Sequence, residues 1–534
     1  MSDQQETSST QRPNFLMIMT DQQRADHLGA YGNSQVRTPH IDALAADGVV
    51  FDRFYVNAPV CMPNRAAILT GRMPSAAGVR RNGIPVPLSA HSFVDSLREA
   101  GYRTALFGKA HFQNMTEAAP NPVPGQAAMP RSCQADHGRR DGPEYGCELP
   151  GSWEDENFRV SLPYYGFDEA VLCLEHGDQV GGDFARWLAG EGVPGAALRG
   201  SPDPAGPPEQ APQAWRTVLD AGHYPTAFIA QKTRDWLAAH AARAEDSPFF
   251  LQCSFPDPHH PFTPPEPYWS AYAPDEMQLP ESFAAPLDAA PPHKRAIHEE
   301  LARGLRKTAG SRVIAVNAAE ARQAIALNYG AISMIDDAVG QVMETLRELD
   351  LAKNTVVIFL SDHGDYMGDH GLLFKGPLHY QSLVRMPFIW NDPQGLNGRR
   401  ATLASAIDIA PTILTRAGVL PCHGIQGRSL LPLIEGAAPD AADGVALIEE
   451  ESHRSVPGLP DPPRVRTLVS ERWRLSVYPE TDWGELYDLE NDPHEINNLF
   501  ADPAYLSVRA ELLWRMSQEM IRLSPNLPLA TRMA

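Results

Sequence analysis

The sequence predicts an α/β fold in which a large, mostly parallel sheet is flanked by helices, with a smaller antiparallel α+β domain at the C-terminal end. Through residues 14–436, short apolar runs alternate with longer segments of helical periodicity. This alternation is typical of a sheet that carries helices on both faces. Residues 437–534 instead contain short strand-like segments separated by tight turns. Residues 1–13 are polar, and we predict that they form a disordered tail.

The buried strands are predicted from continuous apolar runs. Residues 15–19 read FLMIM and are followed by Thr20 and Asp21, a pattern that suits a parallel strand covered on both faces. Residues 322–349 carry apolar side chains at helical spacing, which predicts one long amphipathic helix. Runs similar to the first occur at residues 104–107, 249–255, 355–360 and 388–390.

Three segments rich in proline, glycine and polar residues interrupt this alternation, at residues 113–162, 192–223 and 256–292. Loops of this length in a compact domain are usually functional lids or insertions. In the C-terminal domain, the pattern predicts four strands and a closing helix, at residues 445–450, 465–470, 472–478, 485–489 and 506–523.

Composition and charge exclude several kinds of partner. The chain has 534 residues, of which 43% are hydrophobic and 21% charged, which is ordinary for a globular protein. Its formal net charge of −21 argues against nucleic acid or an anionic membrane surface as a partner. No apolar run reaches the roughly 18 residues that a membrane-spanning helix needs. The polar N-terminus also lacks the features of a signal peptide.

The six cysteines are widely spaced and form no CxxC pair of the kind that binds metals. We therefore expect a cytoplasmic protein with reduced thiols, and a Cys133–Cys147 bridge across a polar loop is the alternative. An isolated free thiol is most often a small buried hydrophobe. The residues around Cys61 indicate a different role for that cysteine.

Cys61 opens the most informative segment of the chain, residues 61–72, which read CMPNRAAILTGR. The segment resembles the signature of the type I, formylglycine-dependent sulfatases of the alkaline phosphatase superfamily, Cys-x-Pro-x-Arg followed by an apolar turn and Thr-Gly-Arg. In that family a maturation enzyme oxidises the cysteine to formylglycine, an aldehyde whose hydrate is the nucleophile. The resemblance implies that Cys61 is the precursor of this nucleophile and that Arg65 helps to hold the hydrate.

The position of Pro63 suits the first turn of a helix. A helix that begins beside Cys61 would direct free backbone N–H groups, and the positive end of its dipole, towards a bound anion. Residues 424–433 and 485–493 also look like landmarks of the C-terminal part of sulfatases. The resemblance therefore spans nearly the whole chain.

Polar pairs follow two of the predicted strands, Asp21-Gln22 and Asp362-His363. Ligands of open α/β sheets collect at the carboxyl ends of strands, so both pairs could converge with Cys61 on one divalent cation. The oxygen donors suit Ca²⁺ or Mg²⁺, whereas the imidazole of His363 favours Mn²⁺ or Zn²⁺. We expect Ca²⁺ or Mn²⁺ first, with Mg²⁺ and Zn²⁺ as alternatives. Each pair alone would more often belong to a plain strand-end turn than to a metal site.

The two pairs differ from the commonest sulfatase pattern, which is Asp-Asp at the first site and Asp-Asn at the second. They are similar to the branch that contains choline-sulfatase-like enzymes, some arylsulfatases and the phosphonate monoester hydrolases. This difference leaves both the metal and the class of ester open.

Other motifs of the family supply residues that would hold the ester. Residues 108–111 match Gly-Lys-x-His, which implies that Lys109 contacts a sulfate oxygen and that His111 lies on the formylglycine side. Residues 258–262 read PHHPF and match Pro-His-x-Pro-Phe. That match makes His259 the proton donor to the leaving group.

Two further positions rest on the resemblance alone. Lys375 matches the lysine that follows the second metal motif and would bind the ester from the side opposite Lys109. Asn82 matches a substrate-contacting asparagine of the Asp-Gln/Asp-His branch. In contrast, we predict structural roles for His40, His370 and His379.

The resemblance implies hydrolysis of a small-molecule sulfate monoester whose alcohol is aryl, alkyl or sugar. A formylglycine-generating enzyme would be a partner. The oligomeric state is open, and an even-numbered homo-oligomer would suit this branch. The strongest alternative is a phosphonate monoester or phosphodiester hydrolase with the same machinery, but those hydrolases tend to lack the pair formed here by Lys109 and His111. A non-catalytic anion-binding homologue is the third reading, and it should have lost a key residue, whereas none is missing.

Overall fold

A computed structural model describes residues 12–118, 140–193, 199–200, 209–243, 247–288, 290–310, 312–437, 444–452 and 454–529. Most of the predicted tail, and Cys133, lie outside these residues. The strands are β1 Asn14–Thr20, β2 Val49–Phe51, β3 Phe54–Tyr55, β4 Arg103–Gly108, β5 Glu169–Leu174, β6 Gly181–Gly182, β7 Phe249–Ser254, β8 Ile314–Ala315, β9 Thr355–Ser361, β10 Leu372–Leu373, β11 Phe388–Asn391, β12 Gly398–Arg400, β13 Ala404–Ser405, β14 Val445–Glu451, β15 Arg464–Ser470, β16 Trp473–Val477 and β17 Gly484–Asp488. The helices are α1 Pro39–Ala46, α2 Cys61–Thr70, α3 Pro74–Ala77, α4 Phe93–Glu99, α5 Asp183–Gly190, α6 Pro225–Ala241, α7 Pro292–Ala302, α8 Ala318–Glu348, α9 Gln381–Val384, α10 Ile409–Arg416, α11 Leu431–Ile434 and α12 Leu506–Arg522.

The main sheet has nine strands in the order β12-β2-β11-β9-β1-β7-β4-β5-β6. Its centre, from β9 to β5, is parallel. Along β1, Phe15 and Met17 belong to the core on one face of the sheet, whereas Leu16 and Ile18 belong to the core on the other. The prediction of a large, mostly parallel sheet with helices on both faces is therefore confirmed.

The outer strands of this sheet were not all predicted. β11 pairs antiparallel with both β9 and β2, and β12 reads GRR, with its first two residues exposed. β5 begins with the half-buried EAV, and only its last three residues are buried. β12 is short and largely exposed, so it lacks the continuous apolar run by which a buried strand is recognised. β11 was predicted from its apolar residues, whereas β5 was missed although residues 170–174 are apolar.

The long helix α8 begins four residues before its predicted start because of its N-terminal cap. The Asn317 side chain accepts a hydrogen bond from the backbone N–H of Glu320, and Glu320 bonds back to the N–H of Asn317. This reciprocal capping box satisfies two free N–H groups of the first turn. Among the residues that the structure describes, no helix is both long and apolar enough to cross a bilayer.

The C-terminal sheet is antiparallel, in the order β14-β15-β16-β17, and α12 packs on it as predicted. Leu447, Leu475 and Leu512 of this unit form one buried cluster with Ala67 of α2 and with Met73. The C-terminal unit thus supports the helix that begins at Cys61. The boundary between residues 436 and 437 stays a prediction.

A buried cation holds the C-terminal sheet together. Arg474 is fully buried, and its guanidinium donates to Glu485 Oε2 at 3.1 Å and to Ser476 Oγ at 2.7 Å. Its Nε also donates to Glu495. The positive charge of Arg474 outweighs the burial of Glu485 and holds the pKa of that carboxyl below its usual value.

We expect Arg474→Met to destabilise the C-terminal unit by about 3–5 kcal/mol, because it leaves two buried carboxyl groups without their cation. Urea unfolding followed by tryptophan fluorescence measures the change. Arg472→Met is the control: Arg472 lies two residues away, is 45% exposed and pairs with Asp488, so its loss should cost less than that of the fully buried Arg474. Equal unfolding curves for the two variants would contradict this account.

Candidate active site

The candidate site lies where four neighbouring parallel strands end. Asp21 follows β1, Asp362 follows β9 and Lys109 follows β4, while the loop after β7 carries His259. Because these strands are adjacent and parallel, their carboxyl ends open at one edge of the sheet. The side chain of Cys61, at the start of α2, reaches the same point.

The Cys61 thiol is buried among charged and polar groups. Its Sγ lies 3.1 Å from His363 Nε2, 3.1 Å from Lys375 Nζ and 3.8 Å from Asp21 Oδ1. Burial and the Asp21 carboxylate raise the pKa of the thiol, but Lys375, His363 and Lys109 outweigh them, so that the pKa is lowered overall. The site thus stabilises negative charge at the side chain of residue 61.

Helix α2 begins at Cys61, as predicted, but the expectation of free N–H groups at its start is only partly right. The backbone N–H of Met62 donates to Asn82 Oδ1 at 3.1 Å, and Pro63 has no N–H to offer. Asn82 therefore caps the helix beside the thiol. Its predicted contact with substrate stays a prediction.

Arg65 fixes both candidate metal-ligand carboxylates. The fully buried guanidinium donates to Asp362 Oδ2 at 2.8 Å and to Asp21 Oδ2 at 3.1 Å. It also donates to the backbone oxygen of Lys109 at 2.9 Å and to Ser254 Oγ at 3.1 Å. The ends of β1, β4, β7 and β9 are thereby tied to one side chain, a role that the motif alone did not suggest.

The residues predicted to bind a metal do converge. One ligand atom from each of Asp21, Cys61, Asp362 and His363 lies within 4.8 Å of the others. His363 Nδ1 lies 2.8 Å from the backbone oxygen of Gly364, which can only accept, so neutral His363 presents the lone pair of Nε2 to the site. This group contains two carboxylates, an imidazole whose lone pair is directed inward, and the Cys61 side chain, the expected precursor of formylglycine. Such a set of donors fits a divalent cation.

Gln22 has an unusual backbone conformation that turns its side chain into this group. Its φ of 61° is rare for a residue other than glycine. Its Nε2 donates to Asp365 and, at 3.1 Å, to His260 Nδ1. This leaves Oε1 pointing at Lys375 Nζ, 2.7 Å away. His260, which had no predicted role, and Asp365, which no family motif singled out, therefore orient Gln22.

The Lys375 ammonium lies in the middle of the site, 3.0 Å from His259 Nε2 and 3.3 Å from His363 Nε2. His259 Nδ1 donates to the backbone oxygen of His260, so neutral His259 accepts a proton at Nε2. Burial first, and then the nearby histidines and Lys375, hold the pKa of His259 well below its usual value. The surroundings of His259 therefore favour its neutral form.

Lys109 reaches the site from the far side. It follows Gly108, where φ is 109° and a Cβ would lie 1.9 Å from the backbone oxygen of Ser254, so that only glycine fits. Lys109 Nζ contacts both Asp21 Oδ2 and His176 Nε2. The His176 ring stacks on His259 with centroids 3.6 Å apart. His176 lies in no motif. The signal that could have located it is the apolar run of residues 170–174, which belongs to the unpredicted strand β5 and ends two residues before His176.

His111 is positioned by the first predicted insertion. Glu148, fully buried, accepts hydrogen bonds from the backbone N–H groups of His111, Phe112 and Gln113 at 2.6–2.8 Å. The hydroxyl of Tyr164 donates to the same carboxyl group at 2.7 Å. In the described part of the chain, His111 Nδ1 has no hydrogen-bond partner. The insertion therefore holds an imidazole with one nitrogen available.

The three histidines predicted to be structural take no part in the site. His379 lies between Thr467 and Glu450, at 2.8 and 3.0 Å. His370 stacks on Tyr380 with centroids 3.7 Å apart. His40 is exposed and follows Pro39 at the start of α1.

Comparison with known proteins gives a consistent picture. A family model described as Sulfatase matches residues 13–419, and one described as N-sulphoglucosamine sulphohydrolase, C-terminal, matches residues 368–522. An uncharacterized sulfatase, YidJ, of Escherichia coli is 28% identical, and the match covers 94% of this chain and 86% of that protein. A choline-sulfatase of Rhizobium meliloti is 26% identical over 93% of this chain and 84% of its own length.

Among solved structures, the phosphonate monoester hydrolase of Agrobacterium radiobacter superposes with a TM-score of 0.72 and 28% identity, covering 95% of this chain and 96% of that one. Its likeness extends over both the main sheet and the C-terminal unit. The Sulfatase model covers well over half of the chain, including Cys61, Lys109, His259 and Lys375. On this evidence the chain belongs to the sulfatase family of the alkaline phosphatase superfamily.

Proposed function

We propose that this chain hydrolyses a small-molecule sulfate monoester by means of formylglycine made from Cys61 and one divalent cation. The proposal rests on one observation: the side chain of residue 61 lies within 3.8 Å of Lys375, His363 and Asp21. A reactive group placed there meets a cation, metal-ligating groups and a helix N-terminus at once. A formylglycine-generating enzyme is the partner that this chemistry needs.

Two groups come from outside the unmodified chain. A formylglycine hydrate supplies two hydroxyl groups on one carbon, one to attack sulfur and the other to release sulfate afterwards. Asp21, Gln22, Asp362, His363 and residue 61 would hold a divalent cation, which would supply positive charge to stabilise the negative charge of the reacting groups. The donor set favours Ca²⁺ or Mn²⁺.

The chain's own cations bind and orient the ester. Lys375 Nζ, 3.1 Å from the Cys61 sulfur, is positioned to donate to one ester oxygen, and Lys109 reaches the same space from the side of Asp21. Arg65 holds the two carboxylates in place. Fixed donors of this kind stabilise the negative charge that spreads over the oxygens in the transition state.

Two histidines move the protons. The bound anion raises the pKa of His259, whose Nε2 then carries a proton and donates it to the leaving alcohol oxygen. His176 stacks on the His259 ring and limits its orientation. His111, held by Glu148 and with Nδ1 available, accepts the proton that is lost when sulfate is released.

A phosphonate monoester is the second candidate substrate, because a solved phosphonate monoester hydrolase shares 28% identity with this chain over 95% of its length. The machinery would be the same. The pair formed by Lys109 and His111, which such hydrolases tend to lack, favours sulfate.

A matched series of aryl sulfate, aryl phosphonate monoester and aryl phosphodiester tests the choice between these substrates. With protein co-expressed with a formylglycine-generating enzyme, we expect kcat/KM to be highest for the sulfate. Cys61→Ala should lower it by roughly 10³-fold or more, since the nucleophile is lost. A higher kcat/KM for either phosphorus ester would refute the sulfate assignment, and turnover by Cys61→Ala equal to that of the parent would refute the whole mechanism.

Cys61→Ser separates attack from release. A serine offers one hydroxyl and no second one to expel sulfate, so this variant should stop at or before the covalent ester. Intact-mass spectrometry after incubation with aryl sulfate should show either unchanged protein or a gain of one SO₃. Sustained multiple turnover by unmodified serine protein would contradict the proposed release step.

Metal removal provides an independent test. Dialysis against a chelator should abolish activity, and Ca²⁺ or Mn²⁺ should restore it and raise the thermal midpoint, because an ion that binds only the folded state stabilises it. His363→Ala should show a smaller rise in thermal midpoint on addition of the same ion. Full activity after exhaustive chelation, with the metal content measured, would exclude the proposed cation.

A further inference from the structure

A second cationic group lies beside the reacting centre, on the C-terminal unit. A cleft next to residue 61 is lined by Val60, Lys375, Arg312, Arg454 and other residues. Val60 directly precedes Cys61. The cleft therefore adjoins the residue beside which the proposed function places the ester.

Most charged groups of this cleft already have partners. Arg312 pairs with Glu300. Glu450, the carboxylate in the lining, lies 3.0 Å from His379 Nε2. Lys375 contacts residue 61 and Gln22. These groups are occupied by the fold or by the ester site.

Arg454 differs from them. Its backbone is held by Ser452, whose Oγ accepts from the Arg454 N–H at 3.1 Å and donates to the Arg454 oxygen at 2.9 Å. Across the ranges that the structure describes, its guanidinium takes part in no ion pair or side-chain hydrogen bond. A fixed backbone with an unpaired cationic end is the arrangement expected of a ligand-binding arginine.

The electrostatic setting is unfavourable without a ligand. Burial lowers the pKa of Arg454, the negative charge of Cys61 raises it, and the positive charge of Arg312 lowers it again. A half-buried cation without a counter-ion carries a desolvation cost, and a bound anion would offset it.

We propose that Arg454 binds a second anionic group of the substrate, an oxyanion carried by the alcohol part next to the scissile ester. The preferred substrate is then a dianion, either a carboxylated sulfate ester or a disulfate, and the guanidinium suits both because its planar donors match either oxyanion. This inference rests on the proposed function, since that function places the ester at residue 61. Arg454 acts in specificity, while Lys109 and Lys375 hold the reacting group.

Binding to Cys61→Ala protein, which cannot turn over substrate, tests the inference directly. Calorimetry compares phenyl sulfate with 2-carboxyphenyl sulfate and catechol disulfate. We expect both dianions, or the one whose oxyanion fits, to bind roughly tenfold or more tightly than phenyl sulfate, because a hydrogen bond to a charged group contributes about that much. In Cys61→Ala protein that also carries Arg454→Met, this preference should disappear, while the affinity for phenyl sulfate should stay within about twofold of that of the single variant.

Arg472→Met is the matched control. Arg472 is an exposed arginine in the turn between β15 and β16, so this variant should keep the preference for dianions. The assignment would be overturned if Cys61→Ala protein bound phenyl sulfate and the dianions with equal affinity. It would also be overturned if Arg454→Met weakened the binding of phenyl sulfate as much as that of the dianions. Kinetics of the matured enzyme keep the two proposals apart. Turnover of phenyl sulfate by matured Arg454→Met enzyme shows that the site is intact. If the matured enzyme without this substitution does not turn over phenyl sulfate, the sulfatase proposal is refuted, and the difference in affinity between monoanion and dianions still decides on Arg454.

Discussion

The ion pairs of Arg65 with Asp21 and Asp362 are the interaction on which the site depends. Strands β1 and β9 each end in a carboxylate, and two such groups side by side in a buried space would repel each other. Arg65 binds one oxygen of each and, through Lys109 and Ser254, reaches two more strand ends. Because one oxygen of each carboxylate is used in this way, the other remains directed at residue 61 or at Gln22. The motif arginine thus assembles the ligand set before any cation binds.

The sequence revealed the site residues that follow the central strands or lie in family motifs. It did not reveal those that lie in loops outside these motifs. The central strands carry continuous apolar runs, and the residues that follow them, such as Asp21 and Asp362, occupy places that the topology requires. His176 and Arg454 lie in no family motif, and each occupies a loop that follows a strand, β5 or β14. Their positions depend on tertiary packing of loops, which no local pattern encodes.

Glu148 shows the same limit from another side. The sequence marked its segment as an insertion, yet gave no reason to expect a buried carboxyl group that accepts three consecutive backbone N–H groups. Insertions and the C-terminal unit here act as supports. They hold His111, brace α2 and place Arg454, so that the reacting groups are common to the family while their surroundings can vary.

The depth of Cys61 has a consequence for biogenesis. Its side chain is 1% exposed, and helix α2 is covered by the C-terminal sheet and α12. A modifying enzyme could not reach this thiol in the native chain without extensive opening of the fold. If formylglycine is made at this position, the oxidation must take place after residue 61 is synthesised and before the C-terminal unit packs against α2. The folding of residues 437–534 then sets the time available for the oxidation.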